Sequence, residues 1–401
     1  MRALRLYAGA AALKHIRQHG LSVEAVGIVA AAAGGPKGLI LGPLDRFIFG
    51  EWLAGSAQPI DLVGASIGAW RMATACLHDA VAAFERLQRD YIAQDYVVEP
   101  GRRMPTPEHV SAVFAANLRA FFGTRLHEIL QHPRYRLHVL TTRGRHLLAR
   151  EGRWRTPLGY LGASLTNVVQ RGALGLWLER VVFSTALPAA SGGAPAAMPA
   201  SQAADTEAVR DVSWPQTTVG VPLTPSGSDG ALAPLPFDAR DFRTRQVPLR
   251  ADNFMPAVQA SCSIPFALRA VHDIPHAPPG AYWDGGITDY HLHLRWRAER
   301  GLVLYPHFQR QVVPGWLDKG LRWRHRPTAA LDHTIVLAPD PQWASRLPNG
   351  KLPDRTDFAR YGHRLAERMQ AWQTAVREAQ RLADEFAAWL QRPNPARVEP
   401  L

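Results

Sequence analysis

The 401-residue sequence contains few cysteines and has no long hydrophobic run. Its two cysteines, Cys76 and Cys262, cannot build a disulfide framework, so a reducing, cytoplasmic setting is expected. The most apolar early run, residues 26–33, is too short to cross a bilayer. Lys14 and Arg17 interrupt the N-terminal segment, so no signal peptide is expected. These absences argue against a disulfide-stapled secreted scaffold and against a protein built from membrane-spanning helices.

Acidic residues are also under-represented: the sequence has 34 Asp and Glu residues but 46 Lys and Arg residues, which gives a net charge of +12. Such a balance predicts affinity for anionic surfaces, either membrane lipid or nucleic acid. An Arg-Trp-Arg triplet occurs at 153–155, 295–297 and 322–324. Tryptophan flanked by arginine suits a lipid headgroup interface or a base-stacking surface. Alternation along half-buried strands, with tryptophan inward, explains the same pattern and is preferred, because no nucleic-acid-binding module is recognisable.

The order of strand and helix patterns predicts the fold class. A buried strand at 23–33, a helical pattern at 39–49, a strand at 59–63 and a helix at 67–77 form a βαβα opening. This order is typical of a three-layer α/β/α fold with a mostly parallel central sheet. Further elements are expected as helices at 7–19, 79–93 and 107–130, and strands at 135–142, 178–184 and, last in the core, 335–338.

The whole chain, 1–401, is predicted to form a single α/β domain with two distinctive segments. Residues 186–235 are dominated by Ala, Pro, Gly, Ser and Thr, which predicts a flexible insertion, either an active-site lid or a disordered loop. Residues 354–391 predict a long C-terminal helical segment, broken at most once. Its apolar stripe is typical of core packing, and its members recur at steps of three and four residues: Phe358, Tyr361, Leu365, Met369, Trp372, Val376, Phe386 and Leu390.

The pentapeptide Gly64-Ala65-Ser66-Ile67-Gly68 lies between the strand at 59–63 and the helix at 67–77. A serine at a sharp strand-to-helix turn exposes its hydroxyl, and flanking glycines let neighbouring elements approach closely. The turn also places the serine at a helix N-terminus, which favours negative charge. Ser66 is therefore the candidate nucleophile, with Gly64 and Gly68 as its elbow glycines. The alternative is that the pentapeptide forms an ordinary tight turn, which has the same sequence pattern.

A serine nucleophile also needs a base for its proton and donors for the developing oxyanion. The loop Gly34-Gly35-Pro36-Lys37-Gly38 follows a strand and precedes a helix, so its amides are expected at the same sheet edge as Ser66. Gly34, Gly35, Lys37 and Gly38 are the candidate oxyanion-hole residues. Downstream, Tyr282-Trp283-Asp284-Gly285-Gly286 predicts a strand end entering a tight turn. Asp284 is the candidate base, and Gly285 and Gly286 form the turn after it.

These three motifs, in this order, resemble the patatin-like phospholipase family. The resemblance covers roughly residues 25–80 and 255–290, including the block Ala260-Ser261-Cys262-Ser263-Ile264-Pro265 ahead of Asp284. It implies a Ser–Asp dyad without histidine that hydrolyses a carboxylic ester of a lipid. The family's usual Asp-Gly-Gly-Gly-x-Arg-Gly loop is replaced here by Ala32 to Gly38, with Lys37 at the arginine position. A lysine keeps the charge but lacks the planar bidentate fork.

Two alternatives stay open. A Ser-Asp-His triad of the α/β-hydrolase type has the right chain order, because histidines follow Asp284 at 291, 293, 307, 325 and 333. A non-enzymatic basic protein that binds anionic lipid or nucleic acid is the second. No cofactor is expected, and no His, Cys and Asp spacing resembles a metal site. The expected partners are a lipid or small ester substrate and, more weakly, the surface of an anionic membrane, with no specific nucleic acid. The sequence does not predict the head group, the acyl chain or the oligomeric state.

Overall fold

The computed structural model describes residues 1–98, 102, 105–187, 232 and 234–401. The central strands are short apolar runs whose residues are all buried, as expected of parallel strands covered on both faces. The strands of the described residues are β1 (Leu4–Ala8), β2 (Val26–Ala31), β3 (Ile60–Ala65), β4 (Tyr135–Gly144), β5 (Leu178–Ser184), β6 (Phe237–Asp238), β7 (Thr244–Pro248), β8 (Val271–His272), β9 (Ala281–Asp284), β10 (Arg295–Trp296), β11 (Leu302–Pro306), β12 (Thr334–Pro339) and β13 (Val398–Pro400).

Helices connect most of these strands. The α-helices are α1 (Ala10–His19), α2 (Gly42–Phe47), α3 (Ile67–Ala75), α4 (Ala80–Ala93), α5 (Pro107–Phe122), α6 (Leu126–Leu130), α7 (Arg155–Val169), α8 (Ala251–Cys262), α9 (Gly286–Asp289), α10 (Pro341–Ala344), α11 (Thr356–Tyr361), α12 (Leu365–Glu378) and α13 (Gln380–Gln391). A π-helical turn spans Ile48–Trp52, and 3-10 helices span Val23–Ala25, Gly35–Leu41, His146–Ala149, Arg171–Leu176, Ala298–Arg300, Trp316–Asp318, Arg322–His325, Ala329–Leu331, Pro348–Gly350 and Pro395–Arg397.

The main sheet runs in the order β13-β1-β12-β11-β2-β3-β4-β5-β7, and its five inner strands, from β12 to β4, are parallel to one another. Antiparallel pairs occur outside this centre, between β1 and β12 and between β4 and β5. The prediction of a three-layer α/β/α fold with a mostly parallel sheet is confirmed. In such a sheet, binding sites form at the carboxyl ends of the parallel strands.

One departure from regular sheet order positions the candidate site. Strand β3 runs parallel to β4 and pairs with it up to Ala65 opposite Leu140. Strand β9 then takes over as the neighbour of β4, antiparallel, with Asp284 opposite Thr141. The carboxyl ends of β3 and β9 therefore meet head to head at consecutive residues of β4.

Several predicted elements differ from the structure at their ends. Tyr7 and Ala8, predicted as helix, close strand β1, because β1 extends an antiparallel ladder with β12 and the helix begins only at Ala10. The strand at 335–338 is not the last in the sheet, since β13 pairs with β1. The helix predicted at 107–130 is interrupted after Phe122 and forms α5 and α6.

The C-terminal segment is broken twice rather than once. Gly362 ends α11 with a φ of 50°, a left-handed conformation that suits glycine, and α12 gives way to α13 at Ala379. The predicted core stripe is confirmed in part, because Trp372, Val376 and Phe386 are buried, whereas its other five members are half-buried. The insertion predicted at 186–235 lies almost wholly outside the described residues.

The inward-facing interpretation of the Arg-Trp-Arg triplets is right for one of the three. Trp296 lies on strand β10 and is buried, whereas Trp154 is 72% exposed and Trp323 is 60% exposed. The difference follows from local structure, because Trp154 immediately precedes a helix and Trp323 lies in a 3-10 helix, so neither has the alternating environment of a strand. Within the described residues, no helix combines the length and apolar character needed to span a membrane.

Candidate active site

Ser66 occupies a strained turn between β3 and α3. Its φ of 57° and ψ of −131° lie in a region that non-glycine residues seldom adopt, and such strain is concentrated at functional sites. The two elbow glycines make the turn possible through close packing. A Cβ on Gly64 would lie 2.5 Å from the nitrogen of Ala69, and one on Gly68 would lie 2.0 Å from the carbonyl oxygen of Ala31. Any larger residue at either position would push α3 away from the sheet.

The Ser66 hydroxyl donates a hydrogen bond to the carboxylate of Asp284. The distance between Oγ and Oδ2 is 2.7 Å, and the residues are only 4% and 5% exposed. The other carboxylate oxygen, Oδ1, accepts the backbone N–H of Gly286 at 2.7 Å. The carboxylate is therefore held on one side by the turn that follows it, while its other oxygen faces the serine. The structure thus brings together the predicted nucleophile and base, which are 218 residues apart in sequence.

Ser261, near the end of α8, ties the two strand ends together. Its hydroxyl donates to the carbonyl oxygen of Leu140 at 2.7 Å and accepts the backbone N–H of Ser66 at 2.9 Å. Its own carbonyl oxygen accepts the N–H of Gly285 at 3.1 Å. Because these contacts reach the elbow, the central strand and the turn after Asp284, one buried residue sets the spacing between the candidate nucleophile and the candidate base.

The predicted turn residues Gly285 and Gly286 are required by close approach. A Cβ on Gly285 would lie 2.1 Å from the carbonyl oxygen of Leu140, and one on Gly286 would lie 2.6 Å from the Cβ of Ala33. The short helix α9 that follows is anchored by Asp289, whose carboxylate accepts two hydrogen bonds from the buried guanidinium of Arg180, at 2.6 and 2.7 Å. This ion pair fixes the chain on the far side of the glycines.

The electrostatic environment favours Asp284 as a proton acceptor. Burial raises the pKa of Asp284 above its ordinary value, and the hydrogen bond from Ser66 and the positive charges of Arg355 and Lys319 oppose that rise. A carboxylate with a raised pKa is a stronger base, while the nearby cations keep it ionisable. The balance suits a group that must take a proton from a hydroxyl.

The glycine-rich loop lies beside the elbow, and a 3-10 helix that begins at Gly35 limits which of its amides are free. In such a helix the N–H groups of Lys37 and Gly38 point back to carbonyls three residues earlier. The N–H groups of Gly34 and Gly35 have no acceptor within the described chain. Gly35 has a φ of 56°, a conformation that glycine adopts without strain. Of the four predicted residues, Gly34 and Gly35 therefore keep donors available for an oxyanion.

The Lys37 side chain takes a role other than amide donation. Its ammonium lies 5.1 Å from the centre of the Phe308 ring, and burial lowers the pKa of Lys37. A cation over an aromatic face is stabilised by the ring's electron density. Lys37 thus supplies positive charge at the rim of the loop.

A small cavity opens onto Asp284. Its apolar lining includes Ile264, Pro265 and Trp316, and two cations, Lys319 and Arg355, also line it. The Lys319 ammonium lies 4.0 Å from the centre of the Tyr290 ring. Lys319 is exposed to solvent on one side. Partial burial removes water from the rest of the side chain, and this desolvation, together with the charge of Arg355, lowers the pKa of Lys319 to about 8. A ligand in this cavity meets apolar surface and positive charge at once.

None of the histidines in the described chain contacts Ser66 or Asp284. His291 and His307 are buried, and burial lowers the pKa of both; their Nδ1 atoms pair with main-chain groups at 311–313 and at 309. His293 and His325 also have partners away from the dyad. The arrangement that a Ser-Asp-His triad requires is absent from the described residues.

Both cysteines are buried and unpaired. Cys262 lies next to the dyad, and burial together with the Asp284 charge raises its pKa well above the ordinary value. A neutral buried thiol is a poor nucleophile, so Cys262 is not a second candidate nucleophile beside Ser66. Among the described residues, no group of three or more His, Cys, Asp or Glu side chains is arranged to hold a metal ion.

Three residues of the site escaped sequence analysis. Ser261 lies in the small-residue block ahead of Asp284, so its neighbourhood was recognised but its hydroxyl was given no role. Lys319 and Arg355 lie outside residues 25–80 and 255–290, which carry the family resemblance, and belong to no motif. Their place beside Asp284 arises only from the folding of the tail against the sheet edge.

Comparison of the sequence with protein-family models gives no match, and comparison with curated proteins gives none either.

Proposed function

We propose that the protein is a serine carboxylic-ester hydrolase of the patatin-like type, in which Ser66 forms an acyl-enzyme and Asp284 acts as the base. The observation that carries this proposal is the 2.7 Å hydrogen bond from the Ser66 hydroxyl to a buried carboxylate, made at a strained elbow. A nucleophile within hydrogen-bond reach of its base is the geometric requirement for covalent catalysis. The free amides of Gly34 and Gly35 supply the second requirement, oxyanion donors.

In the proposed reaction, Asp284 takes the proton of Ser66 as the serine oxygen attacks the ester carbonyl. The carbonyl oxygen becomes an oxyanion and accepts hydrogen bonds from the amides of Gly34 and Gly35. Collapse of this intermediate expels the alcohol, which receives the proton held by Asp284. Water then gives a proton to Asp284 and attacks the acyl group, and the departing Ser66 oxygen recovers that proton as the carboxylic acid is released.

The cavity supports an amphipathic, anionic substrate. Ile264, Pro265 and Trp316 offer apolar contact to an acyl chain, and Lys319 and Arg355 offer charge-assisted hydrogen bonds to a phosphate or carboxylate. Both cations line the same cavity as Asp284, so the anionic group would sit close to the ester that is cleaved. A phospholipid or lysophospholipid has this combination, whereas a triglyceride has no charge for the cations to bind.

A Ser-Asp-His triad finds less support, because no histidine of the described chain reaches either member of the dyad. A purely lipid-binding role leaves the strained elbow and the buried carboxylate without a purpose. The dyad interpretation accounts for both features.

The proposal is tested by steady-state hydrolysis of p-nitrophenyl acyl esters by the wild type and Ser66→Ala. Removing the nucleophile is expected to lower kcat by at least about 10³-fold. Ser263→Ala is the matched control, because Ser263 is also buried but its hydroxyl donates only to the carbonyl oxygen of Gln259. A Ser66→Ala protein that keeps more than a tenth of wild-type activity while Ser263→Ala behaves normally would contradict the proposal.

A lipid panel tests the substrate class. Release of fatty acid from lysophosphatidic acid or lysophosphatidylcholine is expected to exceed release from monoacylglycerol of the same chain length, since only the first two carry a phosphate. Lys319→Met and Arg355→Met should reduce that preference and leave monoacylglycerol turnover closer to wild type. Equal turnover of the phosphate-bearing lipids and monoacylglycerol by the wild type would contradict the proposed preference for an anionic substrate.

A further inference from the structure

Helix α7 exposes an apolar face. Trp154, Leu158, Leu161, Leu165 and Val168 follow one another at steps of four and three residues, and all are exposed. Such spacing puts them on one side of a helix. The three leucines are 55–63% exposed. Globular proteins normally place this stripe against the core, so here the usual orientation is reversed.

The opposite face of α7 already has a partner. Its buried residues are small, polar or aromatic: Thr156, Gly159, Tyr160, Ala163 and Asn167. The Tyr160 ring packs edge-on against Trp283, and Asn167 donates to the carboxylate of Asp318 at 2.8 Å. The helix is thus held firmly by its inner face, and its apolar outer face is free for an occupant from outside the described chain.

The charges in two chain segments that border this face have one sign. Residues 152–178 contain no acidic residue, and neither do residues 319–331, which include the 3-10 helix packed beside the C-terminal end of α7. Arg324 makes that contact by donating to the side-chain oxygen of Asn167 at 3.1 Å. Two of the Arg-Trp-Arg triplets, 153–155 and 322–324, lie in these stretches and carry the exposed tryptophans. An apolar stripe bordered by arginine and tryptophan is complementary to anionic headgroups over an acyl interior.

Helix α7 also packs against the chain segments that form the cavity. Phe266, which is 56% exposed, packs against Tyr160 of α7 and directly follows Pro265 of the cavity wall. On the other side, Asp318 holds α7 through Asn167, and the next residue, Lys319, lines the cavity. Helix α7, which carries the apolar face, is therefore packed against the chain segments that line the opening to Asp284.

We propose that the outer face of α7, with Phe266 and Trp323 beside it, docks the protein on the surface of an anionic lipid bilayer. The leucines enter the acyl boundary, the exposed arginines Arg153, Arg155 and Arg322 bind headgroup phosphates, and the cavity opens toward the lipid. The occupant is a membrane rather than a second copy of the chain, because the like charges that border the face would repel each other across a symmetric dimer.

The test is co-sedimentation of the full chain with vesicles of phosphatidylcholine alone or mixed with phosphatidylserine. The wild type is expected to bind the mixed vesicles more tightly, and added salt should weaken that binding. Leu161→Asp/Leu165→Asp should weaken binding at least about tenfold, since each leucine loses its apolar contact with lipid. Arg155→Gln/Arg322→Gln should mainly reduce the preference for phosphatidylserine.

Val81→Asp is the matched control, because Val81 is an exposed apolar residue on α4, outside this face. It should bind as the wild type does, and thermal melting should show that all variants are folded. Equal binding by wild type and Leu161→Asp/Leu165→Asp would overturn the proposal. The proposal would also be overturned if light scattering showed that the wild type is a dimer, that Leu161→Asp/Leu165→Asp is a monomer, and that the wild type does not bind vesicles. Sedimentation needs no turnover, so this proposal and the hydrolase proposal can fail separately.

Discussion

Replacing Asp284 by asparagine should abolish most activity while leaving the site's architecture in place. An asparagine Oδ1 can still accept the N–H of Gly286, and its Nδ2 can donate to the Ser66 oxygen, so both 2.7 Å contacts have a substitute. What is lost is the ability to take the serine proton. A positioned general base contributes about 10²- to 10⁴-fold in rate, which corresponds to about 3–5 kcal/mol of transition-state stabilisation.

The same substitution should not reduce stability at neutral pH. Burial raises the folded-state pKa of Asp284 above the ordinary value of 3.8, so the folded protein holds this proton more tightly than the unfolded chain. The stability that the group contributes is present below the unfolded pKa and is lost as pH rises through the folded pKa. Above its folded-state pKa, the wild type therefore carries a buried, destabilising charge that Asp284→Asn removes.

The assay combines ester hydrolysis with thermal melts at neutral and acidic pH. Asp284→Asn should melt at or above the wild-type temperature at pH 7, and the difference should shrink on acidification. Asp289→Asn is the contrasting control, because it takes a negatively charged partner from the buried guanidinium of Arg180, and the protein should lose about 3 kcal/mol. Near-wild-type turnover by Asp284→Asn would refute the role of the carboxylate as base, and a strongly lowered melting temperature would refute the account of its burial.

Three further predictions concern groups around the dyad. Ser261→Ala leaves buried main-chain groups at the elbow without a partner, so the free energy of unfolding should fall by about 1–3 kcal/mol and kcat should fall with it. Chemical denaturation and hydrolysis assays measure these two quantities, and unchanged values would contradict the positioning role. Arg355→Met removes a charge that lowers the pKa of Asp284, so the acid limb of the pH–kcat/KM profile should move to higher pH; a limb that stays in place or moves down would be inconsistent with that influence. Arg71→Met leaves the buried carboxylate of Asp45 without its charged partner, so the free energy of unfolding measured by denaturant titration should fall by about 3–5 kcal/mol. The double variant with Asp45→Leu should recover much of that loss, and no recovery would show that the pair is not coupled.

The local parts of the site were predictable because they depend on short-range patterns. The apolar run before Ser66, the glycines around it and the turn after Asp284 each have a local physical cause, and the structure has a strand end or turn at each place. The parallel sheet was likewise predictable from the alternation of strand and helix near the N-terminus. Element ends were less predictable, as Tyr7 and Ala8 show, because a helix pattern yields to strand pairing only when a partner strand is present.

The arrangement of those parts could not be predicted from local patterns. Asp284 meets Ser66 because β9 pairs antiparallel with β4 just beyond the end of β3, and that register is a long-range property of the sheet. Lys319 and Arg355 reach the cavity through the fold of the tail. The exposed face of α7 was hidden for a related reason, since an apolar stripe in a sequence does not reveal which side of the helix faces the core.

The nucleophilic role of Ser66 is tested most directly by labelling the folded wild-type protein with a fluorophosphonate and locating the adduct by peptide mass spectrometry. The account predicts a single adduct on the peptide that contains Ser66, formed much more slowly in Asp284→Asn and absent in Ser66→Ala. Failure of the folded wild type to react, or an adduct on another serine that persists in Ser66→Ala, would contradict it.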